Sequence, residues 1–134
     1  MLSVTIDRSL KVSVYEQVAS QIRQLVASGA LVPGTPLPPV RQLAIELGVN
    51  LNTVARAYRM LKGEGFLVIR DRTGVSVSAP AKTITPTEQA SRLGELRTAL
   101  ARLRQAGMGP DELRRLTQQE LLAVIGTPRG ASNE

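Results

Sequence analysis

The chain of 134 residues is long enough for one or two small domains, and it contains neither cysteine nor histidine. This composition excludes disulfides and thiolate chemistry, and it argues against a zinc site and against catalysis with a histidine base. Seventeen Lys and Arg against eleven Asp and Glu give a formal net charge of +6, which favours a polyanionic partner, although a solvated basic face has the same composition.

The N-terminal residues predict one helix and leave the segment before it open. Val4-Thr5-Ile6 is compatible with a short strand or with an arm. Ser13-Val14-Tyr15-Glu16 has the pattern of a capping box, in which the serine hydroxyl accepts from the Glu16 amide and the glutamate carboxylate reaches back. Apolar residues then recur at helical spacing until Gly29, which is expected to end the helix.

No targeting or membrane-spanning segment is evident in the sequence. The first residues lack a basic region followed by a long apolar run, and no uncharged apolar stretch approaches the roughly eighteen residues of a membrane span. We therefore expect a soluble, cytoplasmic protein without a membrane partner.

Residues 41–61 predict two short helices separated by a tight turn, which is a helix-turn-helix. A proline-rich loop precedes them, and Pro39 is expected in the first turn of the first of these helices. Ala44 is small where the helices should cross, and Gly48 suits a turn with positive φ. Asn50 is predicted to cap the recognition helix, residues 51–63. The predicted buried positions are Leu43, Leu47, Val49, Val54 and Ala57.

The residues after this motif predict a β-hairpin. Residues 66–70 and 75–78 have strand patterns and are joined by the turn Asp71-Arg72-Thr73-Gly74. A helix-turn-helix followed by a hairpin is a winged helix, so we predict a mainly α, winged helix-turn-helix domain over residues 1–79. A small helical bundle with a hairpin and no nucleic-acid role is the competing interpretation.

A linker over residues 80–86 leads to a predicted two-helix segment, residues 87–126, and residues 127–134 are expected to be disordered. Thr87 is expected to cap the first helix, which runs to about Ala106, and Pro110 to open the second. The two apolar stripes either fold back onto the winged helix or pair across a two-fold axis, and we expect a homodimer. The residues predicted to dimerise are Leu93, Leu96, Leu100, Leu103, Leu113, Leu116, Leu121 and Ile125.

Several motifs resemble one family in order and spacing: Tyr15-Glu16-Gln17-Val18, Val40-Arg41-Gln42-Leu43-Ala44, Leu47-Gly48-Val49-Asn50, Asn52-Thr53-Val54-Ala55-Arg56-Ala57-Tyr58 and Glu64-Gly65. Over about residues 11–79 the chain resembles the GntR family of bacterial transcriptional regulators. The short helical segment that follows resembles the YtrA-type subgroup, in which such a tail dimerises. The resemblance implies a repressor of its own operon and of nearby ABC-transporter genes.

The same resemblance and the chemistry of the side chains suggest a DNA-binding role for nine residues. Arg41 could read guanine, with an ion pair to Glu46 as its alternative role, and Asn52 could read adenine. Pro39 and Leu51 depart from the family pattern, which puts a phosphate contact and a base contact in doubt. The remaining predicted DNA contacts are Asn50, Thr53, Arg56 and Arg59 on the recognition helix, and Arg72, Thr73 and Gly74 at the wing tip.

Other functions find less support in the sequence. The acidic residues are scattered and no phosphate-binding glycine loop is present, so we expect no enzyme, catalytic residue, cofactor or metal site. A winged helix that binds protein or RNA without operator specificity is the alternative function. A small-molecule effector would have to bind at the dimer interface, and the sequence does not identify its residues.

Overall fold

The computed structural model describes residues 2–72 and 74–126. Those residues form five helices and one two-stranded antiparallel sheet, which confirms the mainly α winged helix-turn-helix class. The chain divides into two compact units between Pro80 and Ala81, here called the N-terminal and the C-terminal unit. The elements are α1 (Val14–Ala27), α2 (Val40–Leu47), α3 (Leu51–Gly63), β1 (Leu67–Arg70), β2 (Gly74–Val77), α4 (Pro86–Gln105) and α5 (Pro110–Ile125). The predicted contact of Thr73 and the predicted tail, residues 127–134, lie outside the described residues.

The core of the N-terminal unit lies between α1, α2, α3 and the hairpin. Apolar residues at three- and four-residue spacing put one face of α3 into this core, where Val54, Ala57 and Leu61 have no exposed surface. Leu43 is equally buried, as predicted, but Leu47 and Val49 are only partly buried. These two residues lie at the end of α2 and in the following turn, at the edge of the core. The other core residues are Val18, Ala19, Ile22, Leu37, Ala44, Tyr58, Leu67, Val75 and Val77.

The turn between α2 and α3 has the predicted chemistry. Gly48 ends α2 with φ +66° and ψ +38°, a left-handed conformation that L side chains adopt at a cost. Two residues later, the Asn50 side-chain oxygen accepts a hydrogen bond from the Asn52 amide at 2.7 Å. The turn therefore fixes the angle between α2 and α3 and satisfies an amide at the start of α3.

Strand β2 is hydrogen-bonded along both edges. On one edge it pairs with β1, with Leu67 opposite Val77 and Arg70 opposite Gly74. On the other edge, the Leu37 amide donates to the Val75 carbonyl at 2.8 Å, and the Val77 amide donates to the Thr35 carbonyl at 2.9 Å. The proline-rich loop before α2 is thus tied to the wing. The sequence predicts this segment only as a loop.

Three predicted helix starts need correction. Ser13 precedes α1, but its hydroxyl is hydrogen-bonded to the Glu16 carboxylate at 3.3 Å and not to an amide, so the capping box is absent. Pro39 lies at the N-cap of α2 and not within its first turn. Thr85, not Thr87, caps α4 by accepting from the Glu88 amide at 3.1 Å. Pro86 then occupies the first position of α4, where its fixed φ suits a helix.

The segment before α1 lies along that helix as an arm, with no strand in its described residues. The Gln21 side-chain amide accepts from the Thr5 amide at 2.9 Å and donates to the Thr5 carbonyl at 2.6 Å. One turn earlier, Gln17 makes the same pair of bonds with the backbone of Asp7, both at 2.9 Å. Two glutamines four residues apart therefore act as the pairing partner of an extended chain.

The C-terminal unit is a helical hairpin formed by α4 and α5. Gly107, with φ +112°, follows α4, and the Arg104 guanidinium donates to the Met108 carbonyl at 2.9 Å in the connection. As predicted, Pro110 opens α5. No residue of α4 or α5, all of which the structure describes, is buried. Among the described residues, no helix is both long enough and apolar enough to cross a membrane.

Candidate nucleic-acid interface

The outer face of α3 is polar and basic. Asn52, Arg56 and Arg59 are four and three residues apart, which puts them on the face opposite the buried Val54 and Leu61. All three side chains are exposed. Because the opposite face is fixed in the core, this row of donors has a defined orientation on the N-terminal unit. Such a row, about one helix wide, matches what the major groove of B-DNA admits.

The first turn of α3 places the remaining predicted residues of the recognition helix. Asn50 is exposed, and its side-chain oxygen accepts from the Asn52 amide. The side-chain NH2 group of Asn50 is therefore the group that can donate to a ligand. Thr53 is partly buried, and Leu51 is exposed at the first helical position. An apolar Leu51 side chain offers no hydrogen bond to a base edge.

Arg41 lies in the first turn of α2, the helix that packs against α3, and its side chain is exposed. The alternative role predicted for it, an ion pair with Glu46, is not formed in the described part of the chain. Glu46 instead accepts from the Gln42 side chain at 2.9 Å, one turn away on the same helix. Arg41 therefore keeps its guanidinium available on the surface of the helix-turn-helix.

Arg56 does not extend alone into solvent. Its guanidinium lies over the ring of Tyr15, 3.7 Å from the ring centroid, and donates to the Tyr15 hydroxyl at 3.1 Å. Tyr15 belongs to the first turn of α1 and is partly buried. The sequence predicts Arg56 as a DNA contact and Tyr15 only as an apolar residue of the first helix. A contact between residues 41 positions apart leaves no signal in local spacing.

The wing lies on the same unit. Arg72 is exposed in the hairpin turn, and Gly74 begins β2 with φ +83°, a conformation that a turn between strands requires here. The base of the hairpin is held by the buried Leu67, Val75 and Val77. A basic side chain at the end of a hairpin fixed in this way suits a narrow minor groove.

Sequence reasoning missed one further basic residue, Arg8, which contacts the turn between α2 and α3. Arg8 in the arm donates from Nη2 to the Gly48 carbonyl at 2.9 Å. This bond is possible because Gln17 and Gln21 hold the arm along α1. The two glutamines, spaced one helical turn apart, were the available sequence signal.

Residues 1–80 contain nine Lys and Arg against five Asp and Glu, a formal charge of +4.

Comparisons with known proteins agree with this architecture. Residues 14–77 match the family model described as bacterial regulatory proteins, gntR family. The HTH-type transcriptional repressor YtrA of Bacillus subtilis is 38% identical over 80 residues, which are 60% of this chain and 62% of that protein. The solved YtrA of Sulfolobus acidocaldarius, a GntR-family transcription factor, is 37% identical with a TM-score of 0.59, covering 73% of this chain and 97% of that one.

A DNA complex is also among the similar structures. The AraR DBD in complex with operator ORX1 is 25% identical with a TM-score of 0.51, covering 57% of this chain and 96% of that chain. The match spans between 19% and 62% of the length of the first curated relatives. The fold, the matched residues and the near-complete coverage of the solved YtrA lead to one assignment: the chain belongs to the GntR family of transcriptional regulators and is similar to its YtrA-type members.

Proposed function

We propose that the protein is a homodimeric repressor that binds a double-stranded DNA operator through α3, Arg41 and the wing. The observation that carries the proposal is the exposed row of Asn52, Arg56 and Arg59 on α3, opposite a face that is fully buried. Binding by a row of this kind combines base contacts, which give specificity, with phosphate contacts, which give most of the affinity. The operator complex of the similar AraR DBD supports this assignment.

The chemistry of each side chain suggests its role on DNA. The Asn52 amide can pair bidentately with adenine, and Arg41 can donate two hydrogen bonds to guanine, each pair contributing about 1–3 kcal/mol of discrimination. Asn50, Thr53 and Arg59 are assigned to phosphates or to a thymine methyl group. Arg72, Thr73 and Gly74 are assigned to the minor groove beside the site, with Thr73 proposed from the sequence alone.

The C-terminal unit is proposed as the dimerisation segment. Leu96 and Ile125 are 51% and 57% exposed, and Leu93, Leu103 and Leu121 are exposed as well. Leu100, Leu113 and Leu116 are partly buried. Exposed leucines at a spacing of three and four residues suit pairing with a second copy of the same segment. A dimer would present two copies of α3 to two half-sites about one turn of DNA apart.

The regulatory sign is proposed from the name of one relative, and the targets from the family resemblance of the sequence. Bacillus subtilis YtrA is named a transcriptional repressor, and repression is therefore proposed here as well. The proposed targets are the operon of the protein itself and neighbouring ABC-transporter genes. A small-molecule effector would bind at the proposed dimer interface. A regulator of this kind acts in the cytoplasm, where bacterial DNA lies.

The proposal is tested by fluorescence anisotropy of the full chain on duplex DNA from upstream of its own gene, over a salt series. We expect tight binding to this duplex and weaker binding to a scrambled duplex and to duplex RNA of the same sequence. The log of the affinity should fall with the log of the salt concentration, with a slope of about −0.9 per phosphate contact. Arg41→Ala should lose about 1–3 kcal/mol of preference for the native duplex. Arg97→Ala, which removes the same charge from the C-terminal unit, is the matched control.

Equal and weak binding to all three nucleic acids would contradict operator recognition and favour a protein partner, whereas tighter binding to the RNA would favour an RNA partner. In vitro transcription from the same upstream region then measures the sign of regulation. Repression predicts less transcript as the protein is added, and an increase would identify an activator.

The dimer is tested separately by sedimentation of the full chain. Leu96→Glu should shift the protein to monomer, because it would bury a carboxylate without a partner in the apolar interface. Thr98→Glu adds the same charge on the opposite face of α4 and should leave the dimer intact. A wild-type chain that sediments as a monomer at all concentrations would contradict the proposed homodimer.

A further inference from the structure

We infer that Tyr15 and Arg56 together form a phosphate-binding pair, which makes the first turn of α1 part of the DNA-binding surface. The inference rests on the proposed function and goes beyond it, because it assigns a DNA-contacting role to a residue outside the helix-turn-helix and the wing. It also assigns Arg56 to the DNA backbone rather than to a base.

The contact between the two side chains is specific. The guanidinium carbon of Arg56 lies 3.7 Å from the centroid of the Tyr15 ring, so the two planes are in contact, and Nη2 is 3.1 Å from the phenol oxygen. Tyr15 is partly buried in the first turn of α1 and therefore cannot rotate freely away. Of the two groups, the flexible arginine is the one whose position is determined by the contact.

The remaining hydrogen-bonding capacity of the pair suits an anion. A guanidinium has five N–H donors, and one of those of Arg56 is used on Tyr15. The Tyr15 hydroxyl accepts from the arginine and keeps its own proton, which can be donated to a further oxygen. A phosphate oxygen beside the pair would thus accept from both residues, in a charge-assisted arrangement.

The position on α3 favours phosphate over base. Arg56 is one turn after Asn52, on the outer face, but its side chain is drawn toward α1 by the stack on Tyr15. A side chain held toward the flank of the recognition helix meets the backbone that borders the major groove. The pair therefore fixes how α3 lies in the groove without reading the sequence.

A second arginine–aromatic pair in the same unit provides a control. Arg23 lies 5.7 Å from the centroid of Phe66 and forms an ion pair with Glu64 at 2.8 Å. This pair lies beyond the C-terminal end of α3, whereas Tyr15 and Arg56 lie near its first turns. Its charge is already compensated by a carboxylate, so it should not bind phosphate.

The experiment measures affinity for the upstream duplex and for a scrambled duplex, over a salt series, for Tyr15→Phe, Tyr15→Leu, Arg56→Ala and the double variant Tyr15→Leu/Arg56→Ala. We expect Arg56→Ala and Tyr15→Leu each to weaken binding roughly tenfold or more on both duplexes, leaving the ratio between them unchanged. Tyr15→Phe, which keeps the ring and loses the hydroxyl, should show a smaller loss. The double variant should lose less affinity than the sum of the two single losses, because both residues hold the same phosphate.

Two readouts separate this role from a structural one. Arg56→Ala should make the salt slope less negative by about 0.9, the value for one lost phosphate contact, and Arg23→Ala should leave the slope unchanged. Far-UV circular dichroism shows whether Tyr15→Leu remains folded. If Tyr15→Leu unfolds, the test depends on Tyr15→Phe, which keeps the packing of the ring.

The outcomes are distinguishable. If the wild-type chain binds the two duplexes equally, the result contradicts both the proposed function and this inference. Discriminating wild-type binding with unchanged affinity in both Tyr15 variants overturns the inference alone. Additive losses in the double variant would also overturn it, since the two residues would then act on different sites.

Discussion

The two units of the chain use their leucines in opposite ways. In the N-terminal unit, Leu43 and Leu61 are completely buried between three helices and a hairpin. In the C-terminal unit, leucines of similar spacing on α4 and α5 remain exposed or only partly buried. The first unit has a core of its own, whereas α4 and α5 of the second present an apolar stripe and contain no buried residue. The same periodic pattern of leucines therefore forms a core in the N-terminal unit and an exposed face in the C-terminal unit.

The largest effect is expected in the core. Leu61→Ala should lower the free energy of unfolding of the N-terminal unit by about 2–5 kcal/mol, because it leaves a cavity among fully packed side chains. Urea unfolding followed by tyrosine fluorescence reports on this unit alone, since Tyr15 and Tyr58 both belong to it and the chain has no tryptophan. A loss below about 1 kcal/mol would show that this face is less tightly packed than the structure indicates.

A leucine of the C-terminal unit should respond differently. Leu103→Ala should leave the tyrosine-detected transition where it is in the wild type. Far-UV circular dichroism should instead show a transition that depends on protein concentration and is weakened by about 1–3 kcal/mol, if Leu103 is buried in a dimer. A transition independent of concentration in both proteins would contradict the contrast between the units.

A smaller effect is expected at the single hydrogen-bonded phenol of the core. The Tyr58 hydroxyl donates to the Pro38 carbonyl at 2.7 Å, linking α3 to the loop before α2. Tyr58→Phe should cost about 0.5–1.5 kcal/mol of unfolding free energy, because the partly buried carbonyl loses its donor. An unchanged unfolding midpoint would mean that water replaces the phenol.

The same variant gives a prediction for pH. Burial in the core, with a smaller contribution from the Glu46 carboxylate, raises the pKa of Tyr58 above its ordinary value of 10.0. The folded state therefore keeps a proton that the unfolded state loses, so this stabilisation is complete at neutral pH and declines as the pH rises above 10.0. The difference in unfolding free energy between wild type and Tyr58→Phe should shrink above that pH. A constant difference would contradict the raised pKa.

The smallest effect is expected on the surface of α4. Arg92 forms ion pairs with Glu88 at 2.6 Å and Glu95 at 3.1 Å, but all three side chains are largely exposed. Arg92→Ala should change the stability of the C-terminal unit by less than about 0.5 kcal/mol, measured by circular dichroism at low salt. A larger loss would place Arg92 in a buried interface.

Sequence reasoning succeeded where the signal is local. The left-handed turn at Gly48, the cap at Asn50 and the buried face of α3 each depend on residue type and short spacing. It failed at Ser13, because the Ser13 hydroxyl donates to the Glu16 carboxylate and accepts from no amide. It failed at Thr87, because Thr85, two residues earlier, offers an equivalent hydroxyl and caps α4. The assignments of DNA-binding and dimerising residues remain predictions.

The contacts that sequence reasoning missed join distant parts of the chain. Arg56 meets Tyr15 across 41 positions, and Arg8 meets Gly48 across 40. Pairing of Thr35 and Leu37 with β2 likewise depends on where the folded chain brings the loop. Apart from the spacing of Gln17 and Gln21, which hold the arm that carries Arg8, no periodicity indicates these contacts, since they follow from the packing of whole elements.

The double pairing of β2 has a mechanical consequence. β2 runs directly into the linker at Ala79 and Pro80, so tension arriving along the linker reaches this strand first. β1 and the loop before α2 are hydrogen-bonded to the two edges of β2. A force along β2 would therefore act on all of these hydrogen bonds at once and not on one after another. The strand would then transmit the force at the same time to the N-terminal end of α2 and to the C-terminal end of α3.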